Sequence, residues 1–157
     1  LETNHLLHLS WISSNTLVQL MKAKVEWLNE VKFSAESETG HKVVIDGPPD
    51  QGGQNQGPRP MELMLMGLGG CTSFDVISIL KKSRHSVTNC RAEISAERAD
   101  EVPSVFTNIH IHFVVEGENL KDSIVSRAIN LSAEKYCSAS IMLVKGGVNI
   151  THDYEIL

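Results

Sequence analysis

At 157 residues, with 41% hydrophobic and 21% charged side chains, the chain is the size of one globular domain with a sizeable core. Nineteen acidic against fourteen basic residues give a net charge of -5, without the basic excess that a phosphate-backbone binder uses, so nucleic acid is excluded as an expected partner. The longest nearly uncharged run, residues 61–80, is broken by Glu62, three glycines, Thr72, Ser73, Asp75 and Ser78. It reads as a poor membrane span, so a soluble, cytoplasmic protein with no membrane partner is expected.

Residues 1–20 begin without Met and carry neither the basic start nor the continuous apolar stretch of a secretion signal. They read as a non-native leader, an upstream or read-through segment, with the native domain running over 21–157. Ala23, Val25 and Trp27 then alternate with Lys24 and Glu26, the pattern of a strand with one face buried. Residues 31–35 and 42–46 add two short strands joined through a polar stretch at 36–40, which predicts a β-meander. Four glycines and three prolines crowd residues 47–58, GPPDQGGQNQGP, and predict a long mobile surface loop of the kind that edges a site.

Pro60 suits the first turn of a helix, and residues 61–82 hold no further proline. Apolar residues at 61, 63–66, 68, 74, 76, 77, 79 and 80 fall on nearly every side, which predicts a central helix; Lys81, Lys82 and Arg84 complement its C-terminal end. Next, Cys90, Ala92, Ile94 and Ala96 alternate with Asn89, Arg91, Glu93, Ser95 and Glu97. Val105, Thr107, Ile109, Ile111, Phe113 and Val115 likewise alternate with Asn108, His110 and His112, with residues 100–103 as the hairpin turn. Asn119 is placed to cap a second helix running to about Tyr136, with Leu120, Ile124, Ala128 and Leu131 at helical spacing. Residues 141–145, Gly146-Gly147 and residues 148–156 read as a closing hairpin. The predicted order is βββ-α-ββ-α-ββ, an α+β fold.

Cys71 stands in the first helix among Gly69, Gly70, Thr72 and Ser73, where small side chains leave room around the sulfur, and Cys137 follows the second helix in Tyr136-Cys137-Ser138-Ala139-Ser140. Either is readable as a small buried hydrophobe. Should the two helices pack together, the thiols would come within the Cα separation of roughly 4.4–6.8 Å that a disulfide needs, and the pair would be a redox centre. Cys90 lies on an apolar strand face and reads as packing. Three cysteines without a CxxC or His-x-x-x-His pair suggest no structural zinc and no cofactor. His110 and His112 share a strand face, yet two ligands without a third are a polar face and not a metal site. His41, His85 and His152 are scattered. Gly67, Gly69 and Gly70 lie inside a helix without the strand-turn-Lys context of a phosphate loop, so close approach of another helix is their expected use.

Pro60-Met61-Glu62-Leu63, the run Gly67-Leu68-Gly69-Gly70 leading to Cys71, Tyr136-Cys137-Ser138 and the 66-residue cysteine spacing together resemble the OsmC/Ohr family over residues 21–157, most closely its YhfA-type branch. The resemblance implies an OsmC-like fold with two long central helices, in an intertwined homodimer with two active sites at the subunit interface. It also implies a thiol-dependent organic hydroperoxide reductase of the oxidative stress response, with Cys71 peroxidatic, Cys137 resolving, an external dithiol as reductant, and no metal or cofactor. The methionine- and leucine-rich helix would then supply an apolar pocket preferring lipid or aromatic hydroperoxides over hydrogen peroxide.

Three departures bear on that activity. The family glutamate ten residues before the cysteine corresponds to Met61; Glu62, the next residue, falls roughly half a turn away from Cys71 around the helix. No arginine occurs over residues 21–58 to match the family's activating arginine, which leaves Arg59 as the nearby cation, either an i,i+3 partner of Glu62 or part of a solvated pair. Asp75, at i+4 from Cys71, places a carboxylate on the thiol's own face, where it disfavours the charged, reactive form unless a cation such as Arg59 offsets it; its other reading is as an anchor. A non-peroxidase OsmC-like protein that binds or senses a small apolar or electrophilic molecule is therefore the competing expectation, and a purely structural dimerisation module the third.

Overall fold

The computed structural model describes residues 20–157, which form two compact units divided after Gly57. The leader expected over residues 1–20 lies outside the described residues except for Leu20.

In the first unit β1 (Ala23–Asn29), β2 (Lys32–Ser37) and β3 (Lys42–Ile45) form the expected antiparallel meander in the order β1-β2-β3. Trp27 sits opposite Phe33, and Phe33 opposite Ile45. Contrary to the alternation in its sequence, β1 buries neither face: all seven of its residues are exposed, because a lone three-stranded sheet has no second layer of its own. The glycine- and proline-rich segment after β3 is organised around the buried carboxylate of Asp46, which accepts the backbone N–H groups of Gly47, Gln54 and Gln56 at 2.8, 3.1 and 3.0 Å. Lys32 Nζ donates to the Gln54 and Gln56 side chains at 2.9 and 2.7 Å. A Cβ on Gly57 would overlap the Val44 carbonyl oxygen, so the strand and the returning loop approach more closely than any other residue permits.

The Gln56 amide, followed by those of Gly47 and Gln54 and the Lys32 ammonium, outweighs burial and holds the Asp46 carboxyl below its ordinary value. Its contribution is present above the unfolded pKa and is lost as pH falls through the folded one. Asp46→Ala is expected to speed amide exchange at Gln54 and Gln56 on the order of tenfold while leaving β1 and β2 protected. Unchanged exchange at both amides would refute the anchoring role.

The second unit contains α1 (Pro60–Lys82), β4 (Ser86–Arg98), β5 (Phe106–Glu118), α2 (Asp122–Leu131), a π-helical turn over Ser132–Tyr136, α3 (Ser138–Lys145) and β6 (Asn149–Ile156). Its sheet runs β4-β5-β6, with β4 antiparallel and β6 parallel to β5. The closing hairpin is thereby corrected: residues 141–145 belong to a helix, and the observed order is βββ-α-ββ-α-α-β. A short apolar run does not distinguish strand from helix by periodicity. Here Cys137 caps the helix N-terminus, while Gly146 donates to the Met142 carbonyl at 3.0 Å and Gly147 takes φ +94, so the glycine pair ends α3 and makes no hairpin turn. Asn119 is not the cap of α2; it turns the chain out of β5 at φ +55, and Lys121 occupies the N-cap.

A register shift between Glu97 and Arg98 pairs Arg98 with Phe106 and Glu97 with Asn108, leaving Thr107 as the extra residue. The bulge reverses the faces at the start of β5. Phe106 is consequently buried while Val105 and Thr107, expected inside, are exposed; from Ile109 onward the predicted alternation of Ile109, Ile111, Phe113 and Val115 holds.

The core joins those four residues to Leu68, Val76 and Leu80 of α1 and Val125, Ala128 and Ile129 of α2. Residues 68, 72, 76 and 80 are buried at i,i+4 spacing, so α1 covers one stripe within this chain instead of being enclosed on all sides. Met64, Met66 and Phe74 remain exposed. By length and composition α1 does reach what a membrane span requires, contrary to the sequence reading, although it packs on β4 and α2 and carries Asp75 on its C-terminal half. Of the three glycines in α1, Gly69 alone serves a close approach, and it does so toward the sheet: its Cβ would meet Ile94 Cδ1 at 2.7 Å, whereas at Gly67 and Gly70 nothing lies within 4 Å.

Candidate functional site

Two short-range features bring the chemistry together. On α1, Cys71 and Asp75 lie one turn apart and are both half-buried, while the hydroxyl of Thr72 between them donates back to the Leu68 and Gly69 carbonyls, each at 3.1 Å. Facing them, the π turn widens the end of α2 just before Cys137, and the Cys137 N–H donates to the Ser132 carbonyl at 2.9 Å. Cys137 has φ -71 and ψ 100, and its fully buried sulfur accepts the Ser140 N–H at 3.4 Å as the cap of α3. The ligand atoms of Cys71, Asp75 and Cys137 all lie within 4.8 Å of one another. Ser132 Oγ stands over the group, 3.4 Å from Asp75 Oδ2 and 3.3 Å from the Thr72 carbonyl.

Burial, reinforced by the hydrogen bond and charge of Cys71, pushes the Cys137 thiol up to about 12 against the opposing pull of the Ser140 and Ala139 amides. At neutral pH Cys137 is therefore a neutral thiol. Cys90 is half-buried and is not one of the three clustered groups; burial pushes its thiol up and a Ser73 hydrogen bond partly offsets the effect.

Glu62 and Arg59 occupy the start of α1. Glu62 Oε2 accepts the Arg59 backbone N–H at 2.8 Å, and the nine residues from Glu62 to Cys71 span roughly 13 Å of helix. The Glu62 carboxylate thus satisfies the helix terminus and is not brought to the sulfurs within this chain. An apolar hollow of about 500 Å³ opens near that end, lined chiefly by Met61, Met64, Val105, Phe106, Met142 and Leu143. Neither Cys71 nor Cys137 lines it.

The third group near His110 and His112 went unseen in the sequence because it comes from β6 in parallel register. Asp153 pairs across from His112, with Oδ1 at 2.6 Å from His112 Nδ1 and 3.3 Å from His110 Nε2. The Asp153 hydrogen bond raises His112 above its ordinary value of 6.5 and, reciprocally, lowers Asp153 below 3.8. The pair's contribution is fully present between those two values; it fades as pH rises through the folded His112 pKa or falls through the folded Asp153 pKa. Asp153→Asn is expected to move the His112 titration midpoint downward in a histidine-resolved NMR titration. An unmoved midpoint would show that the carboxylate does not govern this ring.

A long helix presenting one thiol and a π-interrupted helix presenting another, both resting on a mixed sheet, define an α+β protein with a paired-thiol site. The chain belongs to the OsmC-like protein family, whose family model matches residues 53–153. It is 47% identical over 137 residues to Protein YhfA of Escherichia coli (strain K12), covering 87% of this chain and 98% of that one. A solved structure from Aquifex aeolicus VF5 is 29% identical with a TM-score of 0.77, covering 88% of this chain and 97% of that one. The organic hydroperoxide resistance protein OsmC from Legionella pneumophila shares the fold with a TM-score of 0.67 at 15% identity, over 88% of this chain and 98% of that one.

Proposed function

We propose that the chain is a thiol-dependent organic hydroperoxide reductase in which Cys71 is peroxidatic and Cys137 resolving. The observation that carries this reading is the approach of a half-buried sulfur to a fully buried one beside Asp75, all within 4.8 Å. Family membership and the hydroperoxide resistance neighbour support the choice of substrate. The Cys71 thiolate attacks the O–O bond of the hydroperoxide; with one proton taken up, the products are an alcohol and a sulfenic acid. Cys137 S–H then condenses with the sulfenic acid, forming the S–S bond and releasing water. An external dithiol restores both thiols, as a reducing cytoplasm allows.

Asp75 is the carboxylate within reach of these protons, held from the far side by Ser132. The exposed Met64, Met66 and Phe74 of α1 support the homodimer, in which a second copy covers what the chain leaves bare.

A second reading rests on the apolar hollow at Met61 and Met142, which accommodates a small apolar molecule away from the sulfurs and suits a binding or sensing protein. One equivalent of cumene hydroperoxide added to the reduced full-length protein separates the two. Peroxidase chemistry is expected to yield a Cys71–Cys137 disulfide by mass spectrometry, abolished in Cys71→Ser. A protein that stays reduced, yet is stabilised by an apolar ligand equally with and without Cys71, is a binder.

A further inference from the structure

We propose that Cys71, Asp75 and Cys137 form a binding site for a thiophilic divalent cation of the zinc class, with two sulfurs and one carboxylate oxygen as ligands and a fourth position open to water. The inference rests on the geometry of the paired thiols and is independent of peroxidase turnover. The three ligand atoms already lie within 4.8 Å of one another. Zinc binds sulfur at about 2.3 Å and carboxylate oxygen at about 2.0–2.2 Å, which in a tetrahedron puts ligand atoms roughly 3.5–3.8 Å apart. The ligand atoms therefore have to close by at most about 1.3 Å.

The scaffold supplies the remaining requirements. Cys71 and Asp75 come from successive turns of one helix, so their separation is fixed by the helix repeat. Cys137 is held by its cap bond from Ser140 and by its own N–H to Ser132, while Ser132 Oγ reaches Asp75 Oδ2, an arrangement of outer contacts that orients both kinds of ligand. Two sulfurs favour zinc-class ions over magnesium or calcium, which require oxygen ligands. A three-residue set with an open position suits an exchangeable occupant better than a closed structural ion.

Binding balances as one divalent cation, two thiols and one carboxylate going to one metal complex of net charge -1 and two released protons. Released protons make affinity rise with pH. The bonds that hold the cation use the same sulfurs that a disulfide would join. Metal occupancy and oxidation of the pair are therefore mutually exclusive, and an oxidant that forms the disulfide removes two of the three ligands.

Anaerobic titration of the reduced full-length protein with cobalt(II) tests the site. Saturation at one equivalent is expected, with sulfur-to-cobalt charge-transfer absorption, visible bands of tetrahedral intensity, and displacement by zinc. Cys71→Ser is expected to abolish the charge-transfer band at one equivalent, and Asp75→Asn to weaken affinity at least about tenfold; Cys90→Ala leaves both unchanged. Circular dichroism confirms that each variant is folded. Absence of charge transfer in the wild type, an undiminished band in Cys71→Ser, or unchanged affinity in Asp75→Asn overturns the proposed site. A protein that forms the disulfide with hydroperoxide but binds no cobalt refutes the metal site alone, whereas cobalt binding in a protein inert to hydroperoxide refutes the peroxidase reading alone.

Discussion

Cys137→Ser is expected to leave the first oxidation of Cys71 intact and to limit the protein to about one turnover per chain, because the sulfenic acid then has no partner thiol and proceeds to sulfinic acid. The substitution is a fair test since serine is itself a preferred N-cap. Its hydroxyl can accept the Ser140 N–H that Cys137 Sγ now accepts at 3.4 Å, so α3 keeps its start. What changes is chemical: the buried sulfur that lies beside Cys71 is gone. Mass spectrometry after excess cumene hydroperoxide should find Cys71 as sulfinate and no intramolecular disulfide. Repeated turnover in this variant, or a disulfide to Cys90, would assign resolution to another thiol and leave Cys137 as a cap alone. Oxidation of Cys71 once per chain in the variant, at the wild-type rate, shows that the first attack survives, so that the missing disulfide isolates the lost resolving step.

Much of this site was legible from residue types and local spacing, and the remainder depended on pairing across long separations. Cys71, Asp75 and the start of α1 at Pro60 follow from helix chemistry, since proline fixes the first turn and i+4 fixes the shared face. The resemblance carried by the two cysteine motifs anticipated the family to which the chain belongs and its α+β fold. Cys137 was found by motif, but its role as a helix cap was not, because the apolar residues 141–145 suit a strand equally well until a donor such as Ser140 is seen to need an acceptor. The same misreading hid Asp153: only a parallel β6 brings it beside His112, and a hairpin would have set a different register. The Phe106 inversion was invisible for a related reason, since a one-residue bulge exchanges the faces without altering composition. Spacing sets Glu62 roughly half a turn from Cys71 and makes it an i,i+3 partner of Arg59, and it does engage Arg59, through the backbone N–H. A carboxylate three residues into a helix has a nearby backbone N–H to satisfy before it has a catalytic role, and here it accepts that of Arg59.

Phe113→Ala is expected to cost about 3–5 kcal/mol, the range for emptying a large buried aromatic position. Phe113 is 2% exposed in the middle strand of the β4-β5-β6 sheet, opposite Ala92 on one side and Tyr154 on the other. Small Ala92 cannot fill the space, and the neighbours Ile111 and Val115 are themselves fixed in the same layer. A domain holds a net stability of only about 5–15 kcal/mol, so one such loss removes a large share of it and lowers Tm by roughly 10–20 °C. The effect reaches the site as well. Phe113 lines a small interior space together with Ser132, which bonds Asp75, and Ser140, whose N–H donates to the Cys137 cap, so the new cavity adjoins residues that hold the cluster. Thermal unfolding followed by circular dichroism measures the first effect, and the rate of Cys71–Cys137 disulfide formation in the still-folded variant measures the second. Val105→Ala is the control: Val105 is 51% exposed because the bulge turned Phe106 inward in its place, and its truncation should change stability by no more than about 0.5 kcal/mol. Equal losses from the two substitutions would mean that the β5 register described above is wrong.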